Sequence, residues 1–375
     1  MLFILIFLWL PLKDGGNTTG DQQFLKAVAD NDVAKVEQLL ERGSNPEAVN
    51  ENGWTALHVA TANDHLAMME VLLRQGARVD AKTVAGLEGT ALMFATSAKT
   101  LEKGKLLLKY GAKLNLTDRY GDHALNWAAY QGNLPYVMFL VENGGDLALR
   151  SRHGTALEIA IRRGNEEMMH YLADAQKLPA EDPSHHLVLQ AVIANDLTAL
   201  EQGLGNSRNL EIADRFGRGL LALAVLHGHQ ETFRMLLRAG VKVNAGDCIG
   251  FTPLMLAVRE GQASLVGDLL KAGAAINQVS LPNSRQLTAL HLAIIWDRQE
   301  IFDYLLSNGA DVNLADANGN SPLMLATGWG RLAFVETLMG YKADPNAAND
   351  EGLSPLEAAR NYNLSEIQAV LESKY

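Results

Sequence analysis

The sequence predicts an all-α fold, a solenoid of stacked helix–turn–helix units carrying β-turn fingers. Three observations predict it. An alanine recurs at Ala27, Ala60, Ala95, Ala128, Ala160, Ala191, Ala224, Ala257, Ala293, Ala326 and Ala359, at intervals of 31 to 36 residues. A leucine follows most of these alanines by twelve positions, as at Leu72, Leu107, Leu172, Leu236, Leu269 and Leu305. A glycine then closes the second apolar run, in RQGA, KYGA, RAGV, KAGA and SNGA. A period in this range marks a chain built from one supersecondary unit, which buries its apolar face only against its neighbours.

Composition agrees with a folded body. The chain has 375 residues, 48% apolar and 20% charged, which is too apolar for disorder. Its net charge of −11 argues against broad attraction to nucleic acid or anionic lipid. A single cysteine, Cys248, excludes an intrachain disulfide framework and a cysteine-based metal site.

In chain order, residues 1–20 come first, opening MLFILIFLWLPLKDGG. The apolar run of twelve residues would reach about 18 Å as a helix, short of a hydrocarbon core of about 30 Å. No integral membrane span is therefore expected. The run matches the hydrophobic region of an export signal, although no Lys or Arg precedes it and no A-x-A site follows. We expect an exported protein, periplasmic or secreted, with cytoplasmic residence as the alternative.

The repeating units follow. In each, a polar turn with glycine, such as ADANG at 315–319, precedes a short helix. Thr252 or Ser321 can cap that helix, and Pro253, Pro322 and Pro355 fall in its first turn, where a missing N–H costs nothing. A second helix carries the Leu-Leu pair and ends at glycine.

The motifs TALH (Thr55–His58 and Thr288–His291), TPLM (Thr252–Met255) and GADVN (Gly309–Asn313) carry a resemblance to the ankyrin repeat family, over about residues 21 to 375. The resemblance implies an ankyrin-repeat solenoid that acts as a protein-binding scaffold without catalytic residues. It departs from the pattern in three places. Extra residues lengthen the fingers before Thr90 (VAGLEG) and before Thr288 (SLPNSRQ). Between Leu172 and His186 two prolines, Pro179 and Pro183, replace the usual turn. The expected organisation is a hydrophobic segment at 1–20, one sub-array at 21–178, a seam at 179–184, and a second sub-array at 185–375. An uninterrupted array is the alternative.

Nothing in the sequence points to chemistry. H-E-x-x-H, G-x-S-x-G, P-loop and G-x-G-x-x-G motifs do not occur, and no cofactor or metal is expected. His185-His186 lacks a helical i, i+4 partner and reads as a solvent-facing loop pair rather than a metal site. The resemblance implies that His58 and His291 tie their turns by hydrogen bonds. Cys248 beside Asp247 reads as an ordinary thiol. N-x-[ST] sequons at Asn17, Asn115 and Asn363 matter only in a eukaryotic secretory pathway.

The resemblance also implies which positions face a partner: finger residues around the turn glycine, and the second and third residues after each aligned alanine. Unit by unit these are Trp54; Arg119, Tyr120 and Tyr130; Arg162 and Arg163. Further along they are Arg215, Phe216 and Arg218; Phe251 and Arg259; Trp296; and Trp329. Tyrosine, tryptophan and arginine dominate interface hot spots. Trp127, one residue before its alanine, belongs to the core. In units four to seven, Arg119, Arg150, Arg152, Arg162, Arg163, Arg215 and Arg218 would form a basic strip on an acidic chain. The strip is either a site for an acidic segment of a protein partner, or a solvated face neutralised by Asp118 and Asp214.

Overall fold

The computed structural model describes residues 19–84, 86–178, 185–206 and 210–373. The hydrophobic opening and the seam at 179–184 lie outside them. Among the described residues 22 α-helices follow one another in pairs, with a 3₁₀ turn at Pro282–Ser284 and isolated β-bridges in place of strands. The chain divides into two compact units, one ending at Lys177 and the other beginning at Leu178.

The first unit opens with Thr19–Ala29 and Val33–Glu41 and closes with Ala156–Arg163 and Glu166–Ala175. The second opens with His186–Ala194 and Leu197–Asn206 and closes with Pro355–Asn361 and Ser365–Ser373. His186 thus starts a helix, so the histidine pair does not lie in a loop. Within each unit the first helices pack together more closely than most of the second helices.

The recurring alanines make that close approach possible. Ala60, Ala95, Ala128, Ala160, Ala224, Ala257, Ala293 and Ala326 are fully buried. The recurring leucines fill the layer between helix pairs, and Leu72, Leu107, Leu172, Leu236, Leu269 and Leu305 are likewise fully buried. Caps start the helices as the motif predicts. Thr252 Oγ1 accepts from the Met255 amide at 3.3 Å and Ser321 Oγ from Met324 at 3.2 Å. Pro253, Pro322 and Pro355 occupy the first turn.

Two devices recur between neighbouring repeats. In the first, the residue capping a second helix reaches back to the last turn of the preceding first helix. Asn133 Nδ2 donates to Thr96 and Ala98 carbonyls at 2.8 and 2.9 Å, Gln262 Nε2 to Val225 at 2.8 Å, and Arg298 Nη2 to Arg259 at 3.0 Å. These bonds satisfy carbonyls that a helix end leaves orphaned. In the second, each fingertip donates one backbone N–H to the finger before it. The bonds run from Arg119 to Leu87, Arg152 to Tyr120, Cys248 to Phe216, Leu281 to Ile249, and Ala317 to Arg285, all at 2.8–3.0 Å.

The histidines of TALH add a third tie. His58 Nδ1 lies 2.8 Å from Thr55 Oγ1, and its Nε2 donates to the Gly89 carbonyl of the following finger at 3.0 Å. His291 repeats this with Thr288 Oγ1 at 2.8 Å and the Asn320 carbonyl at 3.4 Å. Each ring therefore bridges two repeats as well as holding its own turn. Burial holds both pKa values down at about 4, so both rings are neutral at pH 7.

Candidate partner-binding surface

Each regular finger is closed by one side chain. Asp118 Oδ1 accepts the amides of Tyr120 and Asp122, both at 2.9 Å. Asp214 does the same for Phe216 and Arg218, Asp247 for Ile249 and Phe251, and Asp316 for Asn318 and Asn320. Three residues after each aspartate, a glycine takes positive φ: Gly121, Gly217, Gly250 and Gly319 at +73 to +81°. The pattern D-x-x-G, visible in DRYG, DRFG, DCIG and DANG, marks this device.

The closed turn fixes which finger residues face outward. The first of the two tip residues is the more exposed, as at Arg119 and Cys248. The second folds inward, half-buried at Tyr120 and fully buried at Phe216 and Ile249. The residue four after the aspartate also turns in, which buries Arg218 and Phe251. Phe216, Phe251 and Arg218 are therefore interior residues of the fingers and offer little surface, contrary to the sequence expectation. The basic strip narrows for the same reason. Arg218 Nε is 2.5 Å from Asp214 Oδ2, and Arg259, also buried, pairs with Glu260 at 2.8 Å. Arg150 forms a two-pronged pair with Glu158, both contacts at 2.8 Å.

In the first unit the remaining predicted residues converge. Trp54 is half-buried, its ring edge-on to Phe94 at 4.9 Å, and Phe94 lies 5.5 Å from Trp127. Trp127 is core, as expected, with its indole N–H donating to Asp118 Oδ2 at 3.0 Å. One repeat on, the Arg119 guanidinium sits 5.2 Å from the Tyr120 ring centre and that of Arg152 sits 6.0 Å from it. Tyr120 and Tyr130 both meet His153 edge-on, at 5.6 Å. His153 Nδ1 pairs with the buried Asp122 carboxylate, and its carbonyl accepts from Arg162 Nη2 at 2.8 Å. Arg162 is buried, while Arg163 beside it is exposed. Asp118 beneath has a raised pKa, from burial first and from the charge of Asp122 second.

In the second unit Arg215 donates to the Leu178 carbonyl at 3.2 Å and lies 5.7 Å from the Phe216 ring centre, with Arg218 at 5.1 Å from it. Burial raises the Asp247 pKa to about 6, against the pull of the Phe251 and Ile249 amides. Trp296 and Trp329 are half-buried at the ends of helices Ala289–Ile295 and Pro322–Gly328, on the first-helix side. Arg331, paired with Asp297, lies 5.5 Å from the Trp329 ring. Helices Ala263–Lys271 and Gln299–Ser307 meet on the other side, around Gly267 and Tyr304.

Among the described residues no group of three or more His, Cys, Asp or Glu side chains is placed to hold a metal ion, and no helix is long and apolar enough to cross a membrane.

Comparison with known proteins adds to this geometry. A family model described as ankyrin repeats matches residues 24–118, 92–182, 188–280 and 279–349. The chain is 25% identical over 283 residues to the human transient receptor potential cation channel subfamily A member 1, covering 72% of this chain and 25% of that protein. It is 28% identical over 309 residues to human Rabankyrin-5, covering 75% of this chain and 26% of the relative. A putative ankyrin repeat protein of fowlpox virus, FPV031, is 40% identical over 106 residues, covering 28% and 30%. The chain thus spans about a quarter to a third of the length of these relatives.

Proposed function

This chain belongs to the ankyrin repeat family, whose repeats generally mediate protein–protein interaction, and from that premise we propose that it is a non-enzymatic scaffold holding a protein partner on its first-helix face and fingers. One observation carries the reading. Half-buried aromatic side chains gather on this side at finger or helix-end positions, as Trp54, Tyr120, Tyr130, Trp296 and Trp329, whereas the second helices carry Tyr110 and Tyr171 and no half-buried tryptophan among the described residues. Each is partly accessible and partly covered by its neighbours, a condition under which an aromatic residue contributes binding energy at low entropic cost. Cross-linked pull-down with partner identification tests it. Trp296→Ala with Trp329→Ala is expected to weaken capture of that partner at least tenfold and leave the helical signal intact, whereas unchanged capture removes this face from consideration.

A second reading keeps the same surface but places the protein outside its producing cell, as a secreted or translocated effector or inhibitor. The apolar run at residues 1–12 favours it. Sequencing the mature N-terminus decides: loss of the run supports export, and retention of Met1 opposes it.

A further inference from the structure

We propose that the two fingers carrying Arg119 and Arg152 form a reader of extended acidic segments, specific for carboxylates on alternate residues. The inference rests on the scaffold reading above and names the chemistry of its partner. In a chain of net charge −11, these two exposed arginines flank one tyrosine, with guanidinium carbons 5.2 and 6.0 Å from the Tyr120 ring centre. The two cations therefore lie no more than about 11 Å apart. Side chains on alternate residues of an extended strand project from the same face about 7 Å apart, which lies within that reach.

The pair is held before any ligand arrives. The Arg152 amide donates to the Tyr120 carbonyl at 3.0 Å and the Arg119 amide to Leu87 at 2.9 Å, so the two tips are locked in register. Stacking on an aromatic ring already restricts each guanidinium, which lowers the entropy lost when it grips a carboxylate. Tyr120 is itself buttressed by His153, which Asp122 and Arg162 hold from two directions. Arg163, exposed next to Tyr130, extends the positive rim. Among its described residues the second unit places Arg215 and Arg218 at Phe216, but Arg215 is half-buried and Phe216 fully buried. Its Arg218 is buried against Asp214, and the tip position after Asp316 is an alanine, Ala317.

The test uses the full chain and labelled ten-residue peptides, followed by fluorescence anisotropy. One carries Glu at alternate positions, and matched peptides carry Gln, Lys or phosphoserine there. The Glu peptide is expected to bind at least tenfold more tightly than the Gln peptide, with affinity falling steeply as salt rises. Arg119→Glu with Arg152→Glu is expected to lower its affinity at least tenfold, and Arg234→Glu in the second unit to leave it unchanged. Should the reversal variant melt early, Arg119→Gln with Arg152→Gln gives the same readout with a smaller loss. Equal binding of Glu and Gln peptides, unchanged affinity in the double variants, or binding of the phosphoserine peptide alone overturns the proposal. The scaffold reading fails on a different result, unchanged capture of the partner by the Trp296→Ala, Trp329→Ala protein.

Discussion

Acidification should loosen the first unit in part through the buried imidazole of His58, whose pKa, like that of His123, burial lowers. His58 is fully buried, and its Nδ1 can accept from Thr55 only while neutral. Its pKa is about 4 in the folded protein against an ordinary value of 6.5. Between these values the unfolded chain binds the proton and the folded chain does not, so stability falls as pH drops. The contribution is fully present above pH 6.5 and is lost progressively down to about pH 4. With one pKa unit equal to about 1.4 kcal/mol, the loss from pH 7.5 to pH 5.0 amounts to about 2 kcal/mol from this one group. The assay is native-state hydrogen exchange at the amides of helix Ala56–Ala62, corrected for intrinsic rates, in wild type and His58→Gln. The variant should be less stable at pH 7.5, yet lose about 2 kcal/mol less than wild type on going to pH 5.0. Equal losses in the two proteins would refute the reasoning.

Three further perturbations test the packing. Leu236→Ala removes a fully buried side chain from the layer between helix pairs and should cost about 2–5 kcal/mol in urea unfolding, with exchange quickening in neighbouring repeats. Asp316→Ala deprives the Asn318 and Asn320 amides of their acceptor and Arg285 of its partner at 2.8 Å. A loss of about 2–4 kcal/mol is expected, and fast exchange should be confined to those fingers. Gly250 and Gly240 both sit near φ +80°, but a Cβ at Gly250 would fall 2.5 Å from the Leu281 amide nitrogen, while one at Gly240 meets open space. Gly250→Ala should therefore destabilise clearly more than Gly240→Ala, whose cost is about 1 kcal/mol; equal melting temperatures would contradict the interlocked fingers.

The fold was legible because its causes are periodic. An alanine that admits a neighbouring helix and a leucine that fills the next layer must recur wherever the unit recurs, so Ala60 and Leu72 announce the same packing as Ala293 and Leu305. Caps were legible for a similar reason, since Thr252 and Ser321 act within three residues of themselves. Side-chain direction inside the fingers was not. Phe216 and Phe251 have the composition of interface anchors, and only the Asp-closed turn shows that both point inward. The D-x-x-G signal stood in the sequence, but Asp118 and Asp214 read there as counter-ions for arginine. In the structure both close turns through backbone amides, and Asp214 is a counter-ion as well. Convergence over long sequence distance was equally hidden. Nothing local in SRHG says that His153 meets both Tyr120 and Tyr130.

The central claim is that one side of the stack, and not the other, holds a protein partner. Trp296 and Tyr304 test it within a single repeat, since the first ends a first helix and the second lies on the face of a second helix. A photocrosslinking amino acid placed at each position in turn, in the producing cells, gives the measurement. Discrete protein adducts from position 296, with few or none from position 304, are the predicted result. Adducts from position 304 alone, or the same adducts in equal yield from both, would contradict the account.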